Sequence, residues 1–229
     1  MYEMDQMAQT VEVRAFSTDE ELNGAMQAKL EAIYAEILTA PAVATAYERY
    51  ETAKENVARL KRAQASLTRR ARVVFDKMKE VASSVDMALI ESHAEGKECA
   101  SAGLKSLAGL ETEHRAVSRA NSRVLEHLLP QAEIAELNRT ADHLTAKASA
   151  VRDAALQRIQ RTAQMMAEAA EYEGGIVFDS LNTLSGEMQR QAAEFDRQAA
   201  NYRTWARDRE EQYLKLAKEL ESISSVRMS

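Results

Sequence analysis

The sequence predicts an all-α protein: a long antiparallel coiled coil or elongated helical bundle of three long helices plus a short N-terminal helix. Three observations carry this. Only 7 Gly and 2 Pro occur in 229 residues, too few for the turns that a sheet-rich chain needs every 8 to 12 positions. Alanine alone supplies 41 residues, and Ala, Glu, Arg, Lys, Leu, Gln and Met are the strongest helix formers. The apolar residues recur at alternating spacings of three and four, the period of a helix face.

Residues 1–16 show no settled period and read as a flexible N-terminal arm; residues 17–229 read as one elongated helical domain. Ser17-Thr18-Asp19-Glu20-Glu21 is a helix start, with a hydroxyl cap and acids at the positive end of the dipole. Leu22, Met26, Leu30, Ile33 and Ile37 then line one face of a helix over 18–38. Thr39-Ala40-Pro41 ends it, and Pro41 suits the first turn of the next.

From Val43 a heptad begins. Its a positions are Val43, Tyr50, Val57, Gln64, Ala71, Met78 and Val85, and its d positions Ala46, Ala53, Leu60, Leu67, Val74, Val81 and Ala88. Only Tyr50 and Gln64 depart from aliphatic character, the signature of a coiled-coil helix over 41–95. Such a helix would span about 80 Å at 1.5 Å per residue, so it needs a partner of similar length. Gly96, followed by Gly103, is the expected place to turn.

Leu107, Leu110, His114, Val117, Asn121, Val124 and Leu128 form the next seam, in a helix over 97–173 with a kink expected near Pro130. Ile134, Leu137, Ala141, Leu144, Ala148, Val151 and Ala155 continue it, and Ile159, Thr162, Met166 and Ala169 follow after a shift. Gly174-Gly175 marks a reversal. A last helix over 176–225 carries Leu181, Met188, Phe195, Tyr202, Leu216 and Ile223 at sevenfold spacing, interrupted by Arg209, with Leu184, Ala192, Ala199, Ala206, Tyr213 and Leu220 widening the face.

The chemistry of catalysis is not apparent in this pattern. No glycine-rich phosphate loop and no Gly-x-Ser-x-Gly elbow occurs. Glu111 and His114 make one Glu-x-x-His pair, but His93, His127 and His143 lack a Glu three residues before them, so the paired motif of di-iron bundles is incomplete. The expectation is a non-enzymatic chain with no cofactor, no catalytic residue and no metal ligand. The single Cys99 permits no intrachain disulfide and reads as a buried structural cysteine. No run of 18 apolar residues and no basic-then-apolar leader is seen, which points to a cytoplasmic protein, secretion without a classical signal not excluded.

Charge supplies the remaining signal. The net charge is −6, which argues against nucleic acid as a general partner. Residues 54–80 nevertheless carry +6, and 81–113 carry −4. Arg59, Lys61, Arg62, Arg69, Arg70, Arg72, Lys77 and Lys79 form a candidate anionic-surface-binding face, and Arg115, Arg119 and Arg123 add a second row. Gln64, His114 and Asn121 are candidate register-setting polar residues on the seams. The expected function is a helical coiled-coil scaffold or protein-interaction module working as a homodimer. The alternative follows a likeness of size and plan, carried by no motif: three long kinked helices resemble the dimeric BAR class of curvature-binding domains, which would imply binding of an anionic membrane surface through the basic face of residues 54–79.

Overall fold

The computed structural model describes residues 19–90, 94–168 and 175–226. It is an all-α helical bundle. Of the described residues only Thr39 and Ala40 lie outside helices, and none is in a strand. The helices are α1 (Asp19–Leu38), α2 (Pro41–Ile90), α3 (Ala94–Arg123), a π-helical turn (Val124–Leu128), α4 (Leu129–Glu168) and α5 (Gly175–Val226). The arm at 1–16, the cap at Ser17 and Thr18, and the side chains of Leu22 and Met26 lie outside what is described.

The first junction follows the sequence signals. Thr39 N–H donates to Glu36 O and Ala40 N–H to Ile37 O, both at 3.0 Å, and the Thr39 hydroxyl adds a bond to Glu36 O. These satisfy carbonyls that the helix end leaves open. Ala44 N–H then returns to Ala40 O at 2.9 Å, so Ala40 caps α2. Pro41 occupies the first helical position, where its missing N–H costs no bond.

Along α2 the heptad frame is realised. All fourteen a and d positions between Val43 and Ala88 are buried or half-buried, and all but five of the other residues in that span are exposed. Gly96, expected at the turn, sits instead in the first turn of α3. Pro130 neither ends nor breaks the longest helical run among the described residues. A proline lacks the N–H that would bond to the carbonyl four residues back, and its ring clashes with that carbonyl. Here the backbone widens one turn earlier, Leu129 N–H bonding to Val124 O in the i to i−5 pattern, and α4 continues. Leu128, assigned to the seam by spacing, is exposed, because the extra residue in the wide turn rotates it outward.

The chain divides into two compact units. The first, residues 1–44 with 146–196, has a core where Ile33 and Ile37 of α1 meet Ala148, Val151 and Ala155 of α4 and Leu184, Met188 and Ala192 of α5. The small alanines let the three backbones approach, and Met188 and Val151 fill the space completely. Arg152 pairs with Asp196 across α4 and α5. Past Ala155, Ile159 is exposed and Arg158 is half-buried with its Nη1 3.9 Å from the Met188 sulfur, while the side chains of Thr162, Met166 and Ala169 lie outside what is described.

The second unit, residues 45–145 with 197–229, contains the α2–α3 hairpin. Contacts between Val85 and Gly103, Phe75 and His114, and Thr68 and Asn121 fix its antiparallel register. Farther from the turn, α4 packs on α2 and α5 on α4. There the described part of the α5 stripe departs from its spacing, the side chains of Leu181, Leu220 and Ile223 lying outside what is described. Ala199 and Ala206 are buried and Tyr213 is half-buried, but Leu216, expected on the seam, is 52% exposed.

Candidate functional site

Four clusters of side chains stand out among the described residues of the second unit. The first is a polar node on the seam of the α2–α3 hairpin. Gln64 Nε2 and Asn121 Nδ2 both donate to the Thr68 hydroxyl, at 3.2 and 3.4 Å. The two polar residues singled out on separate seams thus meet through a third. Asn121 Oδ1 is buried with no hydrogen-bond partner among the described residues. His114, the third seam residue, is half-buried and tilts onto Phe75 at a centroid distance of 6.0 Å.

The second cluster centres on Glu133, whose side chain is 17% exposed. Its carboxylate accepts a 2.8 Å bond from the Tyr213 hydroxyl and lies 3.3 Å from Lys61 Nζ and 3.7 Å from Arg209 Nε. One carboxylate therefore ties α2, α4 and α5 together. It also accounts for the interruption of the α5 stripe at Arg209, since a cation can occupy a seam position where an acid faces it. Burial pushes the Tyr213 phenol above its ordinary value, and the adjacent Glu133 charge adds to this while Arg209 opposes it.

The third is an aromatic cluster. The buried His143 ring stacks on Tyr50 at 6.2 Å and 6°, and Tyr47 tilts against it at 5.3 Å. Tyr50 departs from the aliphatic heptad because a flat ring is its neighbour there.

The fourth is the basic face. All eight of its predicted members are exposed, but they are not equivalent. Lys61 is held by Glu133, and Arg70 by Glu113 at 2.6 Å. Arg59 donates to Asn56 at 2.9 Å, Arg62 to the Ala58 carbonyl at 3.3 Å, and Lys79 sits 4.7 Å over the Phe75 ring. Arg69, Arg72 and Lys77 have no partner among the described residues. Of the second row, Arg115 pairs with Glu111 at 3.2 Å, leaving Arg119 and Arg123 exposed and without an acid among the described residues.

Cys99 corrects an expectation. It is exposed, because Ala100 takes the seam position beside it. It borders an open groove of about 880 Å³ near the hairpin turn, between Lys79, Met87 and Gly96. No group of three His, Cys, Asp or Glu side chains among the described residues could hold a metal ion. No helix among them is long and apolar enough to cross a membrane.

Residue spacing did not single out Glu133, Thr68 or Tyr47, and it set Gly103 at the turn, whereas Gly103 lies inside α3 against Val85. A signal existed for two of them: Arg209 on an apolar stripe demands an acid opposite, and Gly103 falls three residues after Ala100 and four before Leu107, in step with the seam. No protein family, curated protein or solved structure matches the chain.

Proposed function

We propose that this protein is a non-enzymatic helical scaffold, a protein-interaction module that works as a homodimer. The reading is carried by apolar side chains that lie off the helix seams and face solvent. On the α2–α3 hairpin these are Val73, Phe75, Met87, Leu89, Ile90 and Leu104, with Ile90 75% exposed. Scattered single residues would need no explanation, but a two-helix stretch with this many large apolar groups presents a surface of the kind that partners cover. The polar node, the Glu133 cluster and the aromatic cluster join helices to one another, and none of the three converges on an open cleft.

Hydroxyl-radical footprinting tests the reading. Phe75, Met87 and Leu104 should label freely in the dilute purified chain and become protected, in a species of higher mass, at cellular concentration. Equal labelling and equal mass under both conditions would reject it. A membrane-surface or curvature-binding role is the second reading, favoured by the exposed guanidinium groups of Arg69 and Arg72 on the face of residues 54–79. It requires flotation with vesicles rich in anionic lipid, and loss of flotation when both arginines become Glu.

A further inference from the structure

The antiparallel register of the α2–α3 hairpin joins two stretches that are far apart in sequence. Residues 59–75 hold six Lys or Arg and no acid, and residues 114–130 hold three Arg and one Glu. The Phe75–His114 and Thr68–Asn121 contacts set these stretches side by side. The middle of the hairpin is therefore strongly basic. Its tip, residues 81–108, carries four acids and two lysines, a net −2. Some of the charge in the middle is used internally, Lys61 by Glu133 and Arg70 by Glu113. Arg62, Arg69, Arg72, Arg119 and Arg123 remain exposed with no acidic partner among the described residues. Toward the tip Glu80, Asp86, Glu95 and Glu98 are likewise exposed, with no basic partner among the described residues. Exposed apolar residues accompany both halves: Met87, Ile90 and Leu104 at the tip, Val73, Phe75 and Leu125 in the middle.

We propose that the α2–α3 hairpin is the self-association surface. Two copies lie antiparallel about a two-fold axis, the acidic tip of each over the basic middle of the other. This rests on the interaction-module reading above and names its partner. A two-fold interface requires one patch to carry both complementary halves, because residue i meets j and j meets i. This hairpin meets that requirement along its own length. A uniformly anionic partner, whether bilayer or duplex, would gain at the middle and be repelled at the tip. The dimensions suffice: Arg62 to Ile90 is about 42 Å at 1.5 Å per residue, and two helices are about 20 Å wide, giving about 800 Å² per copy, a standard interface. Charges at the rim set orientation, and the apolar groups supply the burial.

The test is a charge swap on the full chain, read by sedimentation equilibrium and by circular dichroism as a check on folding. The wild type should dimerise, more weakly at about 500 mM than at about 50 mM NaCl. Arg69→Glu with Arg72→Glu, and separately Glu95→Arg with Glu98→Arg, should each weaken the dimer about tenfold or more. Mixing the two variants should restore association to within about threefold of wild type, because each altered tip or middle then meets its complement. A monomeric wild type overturns the proposal, as does a dimer indifferent to both reversals or a mixture that shows no recovery. Flotation of a monomeric wild type with phosphatidylserine vesicles would assign the basic middle to lipid and also overturn it. A monomeric wild type whose Phe75 labels freely in the purified chain but is protected in cell lysate would leave the interaction-module reading standing with a different protein as partner.

Discussion

Gly103 is where α3 comes closest to α2, and replacing it tests the hairpin packing directly. A Cβ built at Gly103 falls inside van der Waals contact of Val85 Cγ2, with Val85 Cβ at 3.8 Å and Val81 Cγ1 at 3.9 Å. Val85 is buried and β-branched, so its side chain cannot swing away without leaving a favoured rotamer. At Gly109, six residues along the same helix, a Cβ meets nothing within 4 Å. Replacing glycine by alanine in a helix gains about 0.5–1 kcal/mol from backbone entropy, and both substitutions share that gain. Overpacking a filled site costs about 1–3 kcal/mol, and only Gly103→Ala incurs it. The two variants should differ by about 2 kcal/mol, a gap of about 4–8 °C in Tm for a chain of this size. Gly109→Ala should melt above wild type and Gly103→Ala at or below it, followed by far-UV circular dichroism. Trimming the obstacle with Val85→Ala should cost less in the Gly103→Ala background than in wild type. If Gly103→Ala stabilises as much as Gly109→Ala, the close approach of α2 and α3 is wrong.

Three further outcomes follow from the polar clusters. Asn121→Leu should raise stability by about 1 kcal/mol, because it removes a buried oxygen that has no hydrogen-bond partner among the described residues; a lower Tm would count against the seam placement. Glu133→Ala should lower stability by about 1–2 kcal/mol by releasing Lys61, Arg209 and Tyr213 together, and a change under about 0.5 kcal/mol, ordinary for surface positions, would show that the carboxylate does not join the helices. The folded-state Tyr213 pKa lies above its ordinary 10.0, so its contribution is present below pH 10 and lost as pH rises through the folded value. Wild-type stability should therefore fall relative to Tyr213→Phe on going above about pH 10, and parallel urea-stability curves would refute this.

The heptad made α2 readable almost residue by residue, because a two-helix pairing buries one narrow stripe and a 3.5-residue period encodes that stripe. Breakers were less decisive. Pro41 begins a helix as expected, yet Pro130 lies inside a helical run, because a π turn absorbs both its missing donor and its ring. Nothing in local propensity distinguishes those outcomes. Leu216 repeats the spacing of Met188 and Phe195 and still faces solvent, since periodicity states which face is apolar and not how far a neighbour extends along it. The charged clusters were the least legible. Lys61 and Glu133 are 72 positions apart, and only the register of three helices brings them together.

That register also changes what the basic block can offer a partner. In the heptad of α2, Lys61 is at e and Arg70 at g, the positions flanking the seam, and these two reach acids on neighbouring helices. Lys77, also at g, faces no acid among the described residues. Arg62 and Arg69 are at f and Arg72 at b, pointing away from the seam. The charge summed over residues 54–80 therefore overstates what is available, because part of it is spent inside the bundle. The outer guanidinium groups stand in water, where a unit pair at 4 Å gains about 1 kcal/mol and screening acts within about 8 Å. A few such pairs can orient a partner without holding it. Any lasting complex on this face must draw its free energy from the apolar side chains beside them, so Phe75, Met87, Ile90 and Leu104 matter for affinity and the arginines for direction.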